Sequence, residues 1–111
     1  MSAGTVGALA RNFSFDPGNF PALREFLPAY LHQDFREEYD SAGDALKAFL
    51  SEASGDEIVD VREEWTRLRG NFAGKPFAEI QAALGQLGSA WLPENEDELK
   101  DLDEILTRAE A

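Results

Sequence analysis

Cysteine is absent from the 111 residues, and histidine occurs once, as His32. The missing thiols exclude disulfides, thiolate metal sites and cysteine nucleophiles. With a single imidazole, a zinc site with three protein ligands would need carboxylates to complete it. That donor set suits Mg²⁺ or Ca²⁺ better, and no DxDxDG loop is present. Long apolar runs are missing too: none approaches the ~18 residues that cross a bilayer. The first twenty residues lack both a basic n-region and a long apolar h-region. The expectation is a soluble, cytoplasmic protein with no membrane contact and no cofactor. Basic residues are also scarce, 10 against 22 acids, giving a net charge of −12. Such a surface repels nucleic acid and anionic lipid and attracts basic partners.

What is present is helical grammar. Hydrophobic residues make up 43% and aromatics 11%, enough for one packed core in a chain of this length. Residues 1–19 are rich in small residues and end in the turn-like DPGN, so they read as a loose leader. Phe13, Phe15 and Phe20 are candidates to fold back onto the body. From residue 20 to 111 the signals predict an all-α domain of four to five short amphipathic helices.

The first helix has Asn19 as its cap, Pro21 in its first turn, and Leu23, Phe26, Leu27, Tyr30 and Leu31 at helical spacing. Pro28 should kink or divide it, because an interior proline removes a backbone donor and clashes with the preceding turn. Ser41 with Asp44 and Ser54 with Glu57 start the next two in capping-box fashion. In the third, Ile58, Val61, Trp65 and Leu68 face inward, while Arg62, Glu63, Glu64 and Arg67 are expected in water. Pro76 opens a fourth helix, which Gly88 ends. Trp91 and Leu92 are expected to seal the bundle, and Asn95 caps a last helix.

No catalytic constellation assembles from these segments. A Ser–His–Asp device would need Ser14, Ser41, Ser51, Ser54 or Ser89 beside His32, and no strand–turn–helix elbow surrounds any of them. GQLGSA lacks the lysine and the strand of a phosphate loop. His32 and Asp34 fall at a helix end, where an imidazole can bond terminal carbonyls and an aspartate can bond turn amides. They read as an architectural corner flanked by Tyr30 and Phe35, with a small His–Asp hydrolase as the outside alternative. No catalytic residue and no metal ligand is assigned.

Three stretches, FPALREFLPAYLHQDF (20–35), YDSAGDALKAFLSEAS (39–54) and LGSAWLP (87–93), resemble in order and separation the immunity proteins of bacterial contact-dependent growth inhibition systems. The chain departs from that pattern at Pro28, where a small residue is expected, and at Phe35, where tryptophan is. The resemblance implies a small helical protein that binds the C-terminal domain of a cognate toxin, often a nuclease, and so protects the producing cell.

Charge then suggests the surface. A nuclease presents a basic groove, and an acidic helical face could border or fill it. The expected toxin-binding residues are Glu37, Glu38 and Asp40 beside the corner, and Asp56, Asp60, Glu63 and Glu64 on the third helix. Acids at 94–104 form a second patch, and Tyr39 and Trp91 are candidate anchors. The expected partner is a basic nuclease domain bound by a monomer. An acidic helical adaptor for some other basic protein is the alternative.

Overall fold

Side-chain caps start three helices where the sequence predicts them. Ser41 Oγ accepts from the Asp44 amide, Asn95 Oδ1 from the Glu98 amide, and Ser54 and Glu57 form a reciprocal capping box. The computed structural model of the chain describes residues 15–109. It contains α1 (Pro21–Tyr30), α2 (Phe35–Glu38), α3 (Ala42–Glu52), α4 (Gly55–Asn71), α5 (Phe77–Gln86) and α6 (Glu96–Arg108), and no strand among the described residues. The all-α expectation holds. The one-turn helix α2 is additional, lying where the sequence suggested only a turn.

Five of the helices contribute an apolar stripe to a common core, and α2 contributes Phe35. Leu23, Phe26 and Leu27 of α1 join Leu46 and Phe49 of α3, Trp65 and Leu68 of α4, Leu84 of α5, and Leu99 and Leu102 of α6. Gly43 permits close packing of α3 on α6, since a Cβ there would stand 3.1 Å from Ile105 Cδ1. On the opposite side of that seam, α4 is tied to α6 by polar contacts. The Trp65 indole donates to Asp103 at 2.6 Å, and Arg69 donates to both oxygens of Asp103 and to Glu96. Burial alone would lower the Arg69 pKa, but the hydrogen bonds to Asp103 and Glu96 outweigh it and hold the guanidinium charged.

Several local expectations are corrected. Helix α1 begins at Pro21, so its cap position falls on Phe20, not Asn19, and Phe20 has no side-chain acceptor. Pro17–Asn19 form a 3₁₀ turn whose Gly18 amide is held by Asp16. Phe15 packs against Phe20 and Phe72, with ring centroids 5.4 and 5.8 Å apart, while Phe13 lies outside the described residues. Pro28 does not divide α1. It sits in the last turn, where the helix ends two residues later. Leu92 is exposed rather than sealing the bundle. The connector has no regular secondary structure there, and it turns Trp91 and Pro93 inward and Leu92 outward.

The two ends of the recognisable sequence meet in space. Helix α5 closes with a Schellman motif, in which Gly88 N–H bonds the Gly85 carbonyl and Ser89 N–H the Leu84 carbonyl. Gly88 has φ +99°, and a Cβ there would lie 3.3 Å from two carbons of the Pro28 ring. Two residues on, the Ala90 and Trp91 amides both donate to the Leu31 carbonyl, at 2.9 and 3.3 Å. The connector thus satisfies the exposed end of α1. A Gly88→Ala variant is expected to lose about 1–3 kcal/mol, since backbone strain and the proline ring oppose it together. Gly85→Ala, with nothing within 4 Å of its new Cβ, should be neutral or gain up to about 1 kcal/mol. Urea denaturation of the two variants checks the contrast.

Candidate functional site

The histidine corner is held by local bonds. His32 Nδ1 accepts the Asp34 backbone N–H at 3.1 Å, which places the ring proton on Nε2, and that N–H donates to Glu38 at 3.1 Å. His32 therefore braces the turn into α2 through Asp34's amide and Glu38's carboxylate, rather than by bonding helix carbonyls. Its contact with Asp34 runs through backbone, unlike the carboxylate–imidazole contact that a catalytic pair requires. Among the described residues no three histidine, aspartate or glutamate side chains are grouped to hold a metal ion.

Glu64 is the main correction to the expected binding face. The sequence places it in water beside Glu63. The structure buries it to 8% exposure, with its two carboxylate oxygens accepting from the Ala22 and Leu23 amides at 3.1 and 2.9 Å. These are orphan donors at the start of α1, which Phe20 cannot satisfy. A carboxylate against a helix N-terminus also complements the helix dipole. Glu64 thus serves as a cap supplied by another helix. Arg67, one turn further along α4, donates to the Asn19 carbonyl and lies 4.7 Å over the Phe20 ring. Arg62 reaches the Ala109 carbonyl from a half-buried position. The basic side chains of α4 are turned onto the fold, so Asp56, Asp60 and Glu63 are left exposed on its outer side.

An open groove of about 440 Å³ runs between α1, the end of α3 and the start of α4. Its floor is aromatic. Phe26 stacks on Tyr30 at 5.6 Å, and Phe49 meets both rings edge-on, at 4.9 and 5.5 Å. Five acids, Glu25, Glu52, Glu57, Asp60 and Glu64, line it, and no basic residue does. The Tyr30 hydroxyl donates to Glu52. That hydrogen bond, with desolvation and the charges of Glu52 and Glu57, pushes the phenol from 10.0 up to about 12. Tyr39 is likewise raised, by desolvation and then by Glu38 and Glu52. Each tyrosine remains a neutral donor in an anionic setting.

These influences connect the two patches that the sequence left separate. Tyr39 of the corner senses Glu38 and Glu52, and Tyr30 senses Tyr39, Glu52 and Glu57. The corner acids Glu37, Glu38 and Asp40 and the α4 acids Asp56, Asp60 and Glu63 are all exposed at their places in this fold. Asp60 alone of these lines the groove. Sequence reasoning missed Glu25 and Glu52 as site members, because neither has an acidic neighbour in its own helix turn and each becomes part of a cluster only through packing. The tyrosine at i+4 from Phe26 is a legible signal of paired rings, but its spacing equally suits a core position or a flank of the histidine corner. Of the two candidate anchors, Tyr39 is half-buried, whereas Trp91 is 4% exposed and donates its indole N–H to Glu98 at 3.2 Å. Trp91 belongs to the core.

The contrast between neighbours on α4 is testable. Glu64→Ala should lower stability by about 2–4 kcal/mol, through loss of two bonds to a charged acceptor. Glu63→Ala should change it by no more than about 0.5 kcal/mol, as an exposed substitution. Equal effects in thermal or urea unfolding would contradict the inward role of Glu64.

Comparison with known proteins bears on this arrangement. No curated protein and no solved structure matches the chain. The family described as CdiI immunity protein matches residues 19–97, a span that contains α1 to α5, the groove and the corner. With most of its length matched, the chain belongs to the CdiI immunity protein family.

Proposed function

We propose that this immunity protein binds the C-terminal domain of its cognate contact-dependent growth inhibition toxin, that the toxin domain is a nuclease with a basic substrate groove, and that neutralisation takes place in the cytoplasm. The immunity protein acts as a monomer, by stoichiometric binding and without chemistry of its own. It makes no direct contact with nucleic acid. Family membership supports the toxin-neutralising part of this reading. That no helix among the described residues is long and apolar enough to cross a membrane is compatible with the site of action.

The observation that carries the nuclease reading is the fate of the charges. Among the described residues the ion pairs of Arg69 and Arg108 fall on α6 acids, and His32 hydrogen-bonds Glu38. Glu37, Asp40, Asp56, Asp60 and Glu63 have no such partner there, and with Glu38 they make the proposed toxin-binding set. Glu64 leaves this set because its oxygens are committed to α1. An anionic face of this kind raises the association rate with a cationic one and disfavours other partners. Exposed ion pairs alone contribute little affinity, so aromatic surface must share the contact.

The test is a titration into the toxin domain encoded beside this chain, following nucleic-acid cleavage at low and high salt. Inhibition complete at one equivalent is expected, with association slowed as salt rises. Inhibition that never develops at equimolar protein would contradict the reading. Tight binding to a toxin domain with no nuclease activity would remove the nuclease and keep the immunity.

A further inference from the structure

We infer that the aromatic-floored groove between α1, α3 and α4 is the toxin-docking surface, and that it receives an arginine or lysine side chain projecting from a basic segment of the toxin. This rests on the immunity reading above and adds the surface and the chemistry of the contact. Charge complementarity selects it. Among the described residues, Glu25, Glu52, Glu57 and Asp60 have no ion pair with a basic side chain, and the groove lining contains none.

On α6, by contrast, three of the six acids are paired with arginine. Its Glu96 and Asp103 are joined to Arg69, and its Glu104 faces Arg108. The cleft beside it includes Arg62 and Arg69 among its walls. A cationic segment would meet Asp97 and Asp101 there, but beside guanidinium groups that repel it. In the groove it would meet several carboxylates still to be neutralised.

The shape fits a long cationic side chain. Its aliphatic stem can lie on Phe26 and Tyr30, whose stacked rings form the floor, while the head reaches the carboxylates at the rim. Aromatic faces attract such cations, and guanidinium combines stacking with bonds to carboxylate oxygens. Tyr30, held as a neutral phenol by Glu52, adds no charge that would oppose the carboxylates. A groove that buries a hydrophobic stem and pairs its charge has the makings of an affinity centre. The remaining exposed acids at the corner and on α4 would act at longer range, steering the encounter.

The experiment compares two double variants by calorimetry against the purified toxin domain encoded beside this chain. Glu25→Lys with Asp60→Lys reverses charge in the groove at two exposed positions that make no structural bond. Glu94→Lys with Asp101→Lys makes the same net change on and beside α6. The groove variant should bind at least about thirtyfold more weakly, and the α6 variant within about threefold of the unaltered protein. Circular dichroism and unfolding confirm the fold of each. The neutralising pair Glu25→Gln with Asp60→Asn repeats the test, with a smaller expected loss, should the lysine pair unfold. Equal binding by a folded groove variant and the unaltered protein overturns the inference while leaving immunity intact. Failure of the unaltered protein to bind overturns the immunity reading itself. If light scattering shows the unaltered protein to be a dimer that the groove variant splits, with toxin binding unchanged, the groove belongs to a second copy and the inference falls.

Discussion

The position of α1 depends on one carboxylate. Helix α1 begins with Phe20 at its cap and Pro21 in its first turn, so nothing in its own sequence satisfies the amides of Ala22 and Leu23. Glu64 crosses from α4 and accepts from both. Hydrogen bonds to a charged acceptor contribute about 1.5–3 kcal/mol each, more than most neutral ones. They set the register of α1 against α4, and much else follows from that register. The Leu31 carbonyl comes to lie under the Ala90 and Trp91 amides, and the Pro28 ring comes against Gly88. The same register brings Phe26 and Tyr30 onto Phe49 and so forms the groove floor. A residue whose charge suggested an outward role therefore holds one wall of the surface on which its neighbours act.

Much of the fold was legible because its determinants are local. Ser41, Ser54 and Asn95 cap amides three residues away, and the apolar stripes of α3, α4 and α6 recur at the helical period. Gly88 could be read as a helix stop because a positive φ is a property of one position. Glu64 could not be read in this way. Its partners are 41 and 42 residues distant, and by charge alone it is indistinguishable from Glu63. Leu92 and Trp91 are likewise separable only by the path of the connector, which the Leu31 carbonyl fixes through the Ala90 and Trp91 amides. The groove was the least legible feature, since Glu25, Glu52, Glu57 and Asp60 come from three helices and no spacing rule joins them.

The distribution of bases gives the acidic composition a specific shape. Arg67 and Arg69 are bound to backbone or carboxylate partners within the fold, and Arg62 reaches a carbonyl at the end of α6. Arg69 in particular pairs with two acids, Glu96 and Asp103, on α6, where the acids are most dense in sequence. Among the described residues, no acid around the groove or the histidine corner is paired with lysine or arginine. Folding thus distributes 22 acids and 10 bases unevenly, with the arginine ion pairs on the α6 side and none at the groove. The corner itself, braced by His32 between an amide and Glu38, presents its acids on a short rigid turn. Pre-organised charge of this kind favours fast and selective association, while the aromatic floor offers the desolvated contact on which tight binding depends.

The measurement that most directly tests this account is hydrogen–deuterium exchange of the immunity protein, free and saturated with its toxin domain. The account predicts added protection in residues 21–30 and 49–61, which bound the groove, and unchanged exchange across 96–108. Protection confined to 96–108, with the groove segments unchanged, would contradict it.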